Sequence, residues 1–323
     1  MLWLLVGLLC PHFLAAQPTQ NAPAGLHIQR LGTYASGIFD DGGAEIPAYD
    51  PSTRRLFVVN AQGTVDVLDV TNPASPGKLF AIDIKTLTGG GTPNSVAVRD
   101  GLVAVAVERQ DDAENQLPGL VAFFRANLVA PPAAPLRTVP AGALPDMLVF
   151  TPDGKKVLVA NEGEPGPTLN PEGSVSVIDL SGGVEGATVQ TVSFAGYNGK
   201  EETLRAKGVR IFPGQKAAED FEPEYIAPAP DGKTAFVTLQ EANAFAVLDL
   251  TLAAFVDIIP LGYKDHGRGP ATLRQYNFNE PPIGKRADGE DILFGGLSGL
   301  FFEKEENGKY IFVTVPDRGP NGD

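Results

Sequence analysis

The feature that most constrains the fold is a unit that recurs along the chain: a tight turn, an apolar strand, a second turn and another apolar strand. The first turns of the five copies are Pro51-Ser52, Asp100-Gly101, Asp153-Gly154, Asp231-Gly232 and Asn307-Gly308. The predicted strands cover residues 55–59, 64–70, 102–107, 120–124, 157–160, 174–180, 234–238, 244–250 and 310–314. Asp-Gly and Asn-Gly pairs supply the positive φ angles that tight hairpins require.

Repeated antiparallel modules, each of which cannot bury both of its faces alone, are typical of a β-propeller. The sequence therefore predicts an all-β fold, a β-propeller of repeated four-stranded antiparallel blades. A β-sandwich with long hairpins is the alternative, but it would not need the same turn at the same place in each unit. The fifth copy ends after its second strand, which predicts a propeller that is incomplete at the C-terminus.

Other segments fall outside the repeat. Residues 26–34 are expected to form a strand that completes the last blade. Residues 188–222 and 262–295 are expected to be long insertions, and the second is the best candidate for a domain boundary. Residues 201–207 are the strongest helical candidate.

The amino terminus has the pattern of a signal peptide. Residues 1–10 are almost wholly apolar, and small residues at Ala15 and Ala16 precede a polar stretch. We expect cleavage after Ala16 and a secreted protein in a periplasmic, extracellular or cell-surface location. About ten apolar residues cannot cross a hydrocarbon core of roughly 30 Å, so no membrane span is expected. Cleavage removes Cys10, the only cysteine, which excludes disulfides and thiolate ligands from the mature chain.

Charge and histidine content narrow the function further. The net charge of -14 argues against nucleic acid as a partner. Only His27 and His266 remain after cleavage, which disfavours a histidine-rich zinc site or a Ser-His-Asp triad. We expect a monomer.

Strand order predicts where polar groups meet. In an antiparallel blade, the loop before the first strand and the loop between the second and third strands lie at one end, opposite the Asp-Gly turns. The polar residues predicted at this end are Glu45, Asn60, Asn94, Glu108, Asp146, Asn161, Glu162, Glu164, Glu222, Glu224, Gln240, Glu241, Asn243 and Asp317. Oxygen ligands without thiolates favour Ca²⁺ or Mg²⁺ over zinc or copper.

One group is the strongest candidate for a metal site, with Ca²⁺ as its possible cofactor. Glu222 and Glu224 are two residues apart in a predicted strand and so point the same way, and Glu241 follows in the same blade. The other candidate ligands are Glu162 and Asn243. The alternative is that these acids cap turns or pair with Arg137, Arg210 and Arg318, and the sequence leaves both open.

Several ordered motifs resemble the bacterial choice-of-anchor I β-propeller family over residues 28–265. They include Gly43-Ala44-Glu45-Ile46, Pro93-Asn94-Ser95-Val96, Leu144-Pro145-Asp146-Met147, Asn161-Glu162-Gly163-Glu164-Pro165, Glu222-Pro223-Glu224-Tyr225 and Leu239-Gln240-Glu241-Ala242-Asn243. The resemblance implies a secreted or surface-held propeller over residues 17–265, after the signal peptide at 1–16 and before a linker or insertion at 266–294.

The last residues, 295–323, resemble the opening of a phytase-like, esterase-like domain, through Gly295-Gly296-Leu297-Ser298-Gly299-Leu300 and Pro316-Asp317-Arg318-Gly319-Pro320. This resemblance implies phosphoester hydrolysis by the intact protein. Two hypotheses follow. One is a metal-assisted phosphoesterase, in which Ca²⁺ polarises the phosphoryl oxygen and Arg318 clamps phosphate oxygens. The other is a non-catalytic extracellular binding or adhesion scaffold with a structural Ca²⁺. No residue pattern identifies a nucleophile, so enzymatic activity is left open.

Overall fold

A computed structural model describes residues 30–38, 42–262 and 289, together with the backbone of the strands at residues 284–285, 291–292, 297–306 and 309–316. The predicted signal peptide, His27, His266 and Arg318 lie outside the described residues. Within them, no helix is both long and apolar enough to span a bilayer.

Four antiparallel sheets of four strands follow one another along the chain, and we number them blades 1 to 4. Blade 1 contains β1 (Pro47–Asp50), β2 (Arg55–Asn60), β3 (Thr64–Asp69) and β4 (Gly77–Asp83). Blade 2 contains β5 (Thr92–Arg99), β6 (Leu102–Gln110), β7 (Gln116–Arg125) and β8 (Arg137–Ala143). Blade 3 contains β9 (Pro145–Phe150), β10 (Lys156–Asn161), β11 (Ser174–Asp179) and β12 (Thr188–Ser193). Blade 4 contains β13 (Pro223–Pro228), β14 (Thr234–Leu239), β15 (Ala244–Asp249) and β16 (Ala254–Pro260).

Short elements complete the described chain. Two-stranded sheets pair β17 (Gly284–Lys285) with β18 (Asp291–Ile292) and β19 (Leu297–Glu306) with β20 (Lys309–Pro316). The helices are α1 (Ile84–Leu87), α2 (Glu201–Lys207) and α3 (Ala217–Asp220), with 3-10 turns at Val184–Gly186 and Ala195–Tyr197. The helix predicted over residues 201–207 is confirmed.

The sheets are arranged as propeller blades. Each blade pairs its strands in sequence order. The first strand of each blade contacts the first strand of the next, from β1 to β5, β9 and β13, whereas the fourth strands are at the outer edge. The predicted fold is therefore confirmed as an incomplete β-propeller, and four separate sheets exclude the sandwich alternative.

The hairpins between first and second strands form as their sequences predict. Gly154 and Gly232 have φ angles of 69° and 65°, in the left-handed region that glycine adopts without strain. Asp153 and Asp231 each accept a hydrogen bond from the backbone N–H two residues later, at 3.1 and 2.9 Å. Since both hairpins join the first strand of a blade to the second, they lie at the same end.

Apolar side chains between neighbouring blades form the core. Phe57 and Phe124 are buried between blades 1 and 2, and Phe123 and Phe150 between blades 2 and 3. The cluster between blades 3 and 4 also takes in residues 194–221. Burial of apolar area contributes about 25 cal/mol per Å², so these layers supply most of the favourable free energy.

Two sequence predictions need correction. Residues 188–193 form β12, the outer strand of blade 3, so the insertion begins only at residue 194. The insertion is packed onto the core: the Phe194 ring stacks on Phe255 with centroids 3.9 Å apart and meets Phe221 edge-on at 5.3 Å. Residues 30–38 form no strand, so the strand predicted over 26–34 is wrong for its described part.

Candidate functional site

Carboxyl groups from blades 2, 3 and 4 meet at the end of the propeller opposite the Asp-Gly hairpins. We call this cluster the acidic mouth; it consists of Glu108, Asp146, Glu162, Glu164, Glu222, Glu224 and Glu241. Its members come from the beginnings of β9 and β13, the end of β6 and the loops after β10 and β14. The structure thus brings four of the predicted ligands together, Glu162, Glu222, Glu224 and Glu241.

A close backbone contact between blades 3 and 4 builds the centre of the mouth. Gly173 donates its N–H to the Ala218 carbonyl at 2.9 Å. A side chain here would place its Cβ only 1.9 Å from the Phe221 carbonyl oxygen, so only glycine fits. This contact holds the β10–β11 loop, which begins with Glu162, against the chain that leads into Glu222.

Asn161 anchors the same loop from below. It is fully buried, and its Oδ1 accepts a hydrogen bond from the Gly142 N–H at 3.0 Å. Its Nδ2 donates to the hydroxyl oxygens of Ser174 and Ser176 at 3.1 and 3.0 Å. Because every polar atom of this amide is hydrogen-bonded, Asn161 acts as a structural residue at the base of the mouth.

The mouth holds its acids in an unfavourable environment for charge. Burial, followed by repulsion from Asp146 and Glu224, raises the pKa of Glu162 to about 8. Burial, followed by repulsion from Glu241, raises the pKa of Glu222 to about 7. Burial also raises the pKa of Asp146, Glu108 and Glu224. Desolvation and like charges both disfavour the ionised form of a carboxyl group.

Basic side chains of the described residues form no ion pair with this cluster. None of the ion pairs between described residues includes one of its seven carboxyl groups. Arg210 lies beside Glu241, but its Nε donates to the Glu241 backbone carbonyl. The Glu241 Oε2 is buried and has no amide, hydroxyl or basic donor among the described residues. The Glu241 carboxyl adds to the raised pKa of Glu224 through its like charge and through a hydrogen bond between the two carboxyl groups. An ion pair with Arg210 therefore does not account for the acidic residues of the mouth.

The other predicted ligands are placed differently. Asn243 lies in the β14–β15 turn with a φ of 50°, and its Nδ2 donates to the Gly262 carbonyl at 2.9 Å. Asn243 also lines a cleft whose other lining residues include Arg205 and Arg210. The proposed phosphate ligand, Arg318, lies outside the described residues.

The mouth is not arranged as a closed coordination shell. Within the described ranges, no three His, Cys, Asp or Glu residues are placed so that they could hold a metal ion as they stand. The donor chemistry nevertheless suits a hard cation, because the mouth offers carboxylate oxygens and includes one buried oxygen without a donor. Binding would require rearrangement of the glutamate side chains.

Sequence reasoning missed Gln116. The predicted strand starts at residue 120, whereas β7 begins at Gln116, so the sequence pattern places this side chain in a loop. Gln116 is 8% exposed, and its amide hydrogen-bonds the Glu108 carboxyl at the edge of the mouth. The polar character of residues 111–116 hid the extended strand.

Solved structures similar to this chain include propeller proteins. A functionally unknown protein from Desulfotomaculum acetoxidans DSM 771 is 13% identical, with a TM-score of 0.46 and coverage of 73% of this chain and 61% of that one. The Cps50 (Swd1) β-propeller domain from Myceliophteria thermophila is 10% identical, with a TM-score of 0.44 and coverage of 68% and 55%. The chain thus spans less than two thirds of the length of either structure.

Hydrazine synthase from Kuenenia stuttgartiensis is more distant, with 15% identity, a TM-score of 0.32 and coverage of 67% of this chain and 74% of that one. No curated protein sequence matches this chain significantly. The family model for the choice-of-anchor I domain matches residues 45–277, which include all four blades and the whole acidic mouth. Since this match covers well over half of the sequence, the chain belongs to the choice-of-anchor I domain family.

Proposed function

We propose that this chain is a cell-surface or extracellular β-propeller that binds a hard divalent cation, with Ca²⁺ as the first candidate, at its acidic mouth. Family membership and the propeller fold support the surface role. The proposed ligands are Glu222, Glu224, Glu241 and Glu162. Asn243 would contribute only if its amide left the Gly262 carbonyl.

One observation carries the cation proposal: among the described residues, the buried Glu241 Oε2 has no amide, hydroxyl or basic donor and lies among carboxyl groups that repel one another. A divalent cation would supply the missing partner and offset the repulsion. Ca²⁺ accepts six to eight oxygen ligands at about 2.3–2.6 Å in variable geometry, which suits flexible glutamate side chains. Protons are the competing ligands, because the raised pKa of Glu162 and of Glu222 favours protonation near neutral pH.

Competition with protons gives the sharpest test. Ca²⁺ should be titrated calorimetrically into the protein at pH 7.5, in two buffers that differ in their heat of ionisation. We expect binding with release of protons, because carboxyl groups must deprotonate to coordinate the ion. Absence of binding heat, or binding with no release of protons, would contradict the proposed site.

Variants locate the bound ion. A ligand that binds only the native state raises the melting temperature, and E222Q/E224Q should abolish the rise caused by Ca²⁺. E185Q/D231N is the matched control, since it also removes two charges but at the hairpin end. The proposed site fails if both double variants keep the same Ca²⁺-dependent rise.

The second candidate is the metal-assisted phosphoesterase implied by the resemblance of residues 295–323. It depends on the same cation, which would neutralise phosphate charge and polarise the phosphoryl oxygen, with Arg318 as the proposed phosphate ligand. Hydrolysis of phosphoester substrates by the full-length protein should then depend on Ca²⁺ and decrease in R318Q. Ca²⁺ binding without such hydrolysis supports the first candidate, an extracellular binding or adhesion scaffold.

A further inference from the structure

A cleft of about 360 Å³ lies beside the acidic mouth, between blade 2 and the β10–β11 loop. Its walls are mainly apolar and include Leu117, Pro118, Ala143 and Pro171, and Glu172 lies at its edge. The volume falls within the range of small-molecule sites, about 300–1,000 Å³.

Asn115 fixes the two loops that form the cleft. It is 2% exposed, and its Oδ1 accepts hydrogen bonds from the backbone N–H groups of Thr168 and Leu169 at 2.8 and 3.0 Å. Its Nδ2 donates to the Thr168 hydroxyl at 2.8 Å and to the Asp111 carboxylate at 3.1 Å. The cleft is therefore preformed and does not depend on a flexible loop.

Gln116 gives the cleft a specific chemical requirement. This side chain is more than nine-tenths buried and lines the cleft. Its amide is hydrogen-bonded to the Glu108 carboxyl, and since a carboxylate can only accept, Nε2 is the donor. The orientation of the amide follows, and Oε1 is buried without a hydrogen-bond partner among the described residues. A ligand in this cleft reaches this oxygen only when the Gln116 side chain turns towards the cleft, and it must then bring an N–H or O–H donor.

Charge selects among the possible donors. Glu108 lies behind Gln116 and belongs to the acidic mouth, and Glu172 adds a carboxylate at the edge of the cleft. Lys216 interacts electrostatically with Glu172, but its ion pair is with Glu219. A cationic donor is favoured over a neutral one at this position. The rest of the ligand must be apolar so that it can pack against the leucine and proline walls. The methylene chain of a lysine side chain has this property.

We propose that this cleft binds an alkylammonium group, which donates a hydrogen bond to the Gln116 Oε1 and packs its methylene chain between Leu117, Pro118 and Pro171. The group is either a lysine side chain of a polypeptide or a free amine of similar length. This site is separate from the proposed cation site and does not need bound Ca²⁺.

Two probes distinguish the sources of the ligand. Nα-acetyl-lysine-methylamide and pentylamine are titrated into the EDTA-treated protein and followed by calorimetry, with Nα-acetyl-norleucine-methylamide as the uncharged control. Binding of the blocked lysine identifies a polypeptide side chain as an acceptable ligand, whereas binding of pentylamine alone identifies a free amine. Binding of neither probe, or equal binding of the norleucine control, overturns the proposal.

Gln116→Met keeps the approximate shape of the side chain and removes the acceptor. We expect at least about tenfold weaker binding, since hydrogen bonds to charged groups are strong. The matched control Gln190→Met changes an exposed glutamine on β12 and should leave binding unchanged. If Gln116→Met does not fold, Leu169→Lys provides a second test, because an ammonium tethered to the exposed wall should compete with the probes. Unchanged binding in a folded Gln116→Met or Leu169→Lys variant contradicts the proposal.

Discussion

The two ends of the blades carry the same type of side chain in opposite electrostatic states. At the hairpin end, hydrogen bonds from Ser181 hold the pKa of Asp179 at about 2, and bonds from Thr71 lower the pKa of Asp69. At the mouth, burial raises the pKa of Glu162 to about 8 and that of Glu222 to about 7. The acidic residues of this protein therefore fall into two groups, whose pKa values are shifted in opposite directions.

The difference comes from the supply of hydrogen-bond donors. An aspartate next to a turn reaches free backbone N–H groups, as Asp153 does with Lys155 and Asp179 does with Ser181. These carboxylates are hydrogen-bond acceptors within the turns. The carboxyl groups of the mouth are instead buried and repel one another, which raises the pKa of Glu162 and of Glu222. Unsatisfied acids of the second kind are the better functional candidates.

The largest expected effect on stability comes from adding a charge at the buried base of the acidic mouth. Asn161→Asp keeps the size of a fully buried side chain but places a carboxyl group next to Glu162. The hydroxyls of Ser174 and Ser176 can rotate to donate to it, so the loss arises from charge burial. We expect destabilisation of about 3 kcal/mol at pH 7.5, measured by urea denaturation.

Asn170→Asp is the matched control, because it adds the same charge to an exposed position on the same loop. Protonation should restore stability in Asn161→Asp as the pH falls towards 5, since the neutral acid resembles the amide. Equal stability of the two variants at pH 7.5 would show that the base of the mouth tolerates charge.

The second prediction separates the two sides of the mouth. Gly173→Ala forces a Cβ against the Phe221 carbonyl oxygen, so the β10–β11 loop must move away from blade 4. We expect a loss of about 1–3 kcal/mol and weaker Ca²⁺ binding. Gly77→Ala, where the new Cβ meets no atom within 4 Å, should be nearly neutral. Intact Ca²⁺ affinity in a destabilised Gly173→Ala variant would show that the site does not cross the two blades.

Much of the fold could be predicted from sequence because turns and strand alternation are local. The Asp-Gly turns at residues 153 and 231 and the helix at 201–207 required no knowledge of tertiary contacts. Strand order likewise placed Glu162 and Glu222 at one end. The fourth strand of blade 3 was missed because residues 188–193, only partly buried at the outer edge, carry a weak apolar signal.

What the sequence could not predict depends on long-range contacts. The hydrogen bonds of Asn161 join it to Gly142 on another strand, and Gln116 acquires its role only through Glu108. Asn243 was grouped with the acids because of its position, but its amide bonds to the Gly262 carbonyl. The hydrogen-bond partner of a polar side chain in a loop depends on tertiary contacts that the local sequence does not encode.

The third prediction uses neutral isosteres of one acid from each end. At pH 7.5 Glu162 must take up a proton when the protein folds, because its pKa rises from an ordinary value of 4.5 to about 8. Glu162→Gln removes this cost, so we expect the protein without Ca²⁺ to gain about 1 kcal/mol at pH 7.5, an amount limited by partial exposure. Asp179→Asn replaces the charged acceptor of the Ser181 N–H, at 2.7 Å, by a neutral amide oxygen and removes a 3.2 Å ion pair with Lys156, so stability should fall slightly. Changes of the same sign in the two variants would contradict the distinction between the ends.

The smallest expected effect is a change in the pH dependence of stability, measured as the melting temperature in EDTA between pH 8 and pH 2. The pKa of Glu162 is about 8 in the folded protein, against an ordinary value of 4.5, so the folded protein binds this proton more tightly than the unfolded chain does. Stability should therefore rise as the pH falls from about 8 towards 4.5. The pKa of Asp179 is shifted the other way, to about 2 from an ordinary value of 3.8, so stability should fall as the pH drops from 3.8 towards 2.

Each half of this profile belongs to one end of the propeller. Glu162→Gln should reduce the rise above pH 4.5, to which Glu222 also contributes, and leave the fall below pH 3.8, whereas Asp179→Asn should reduce only the fall. Ca²⁺ should reverse the slope at the upper end, because the ion competes with protons for the same oxygens. A profile in EDTA that declines steadily from pH 8 would mean that the mouth acids are already compensated in solution, and both the contrast and the cation site would then be lost.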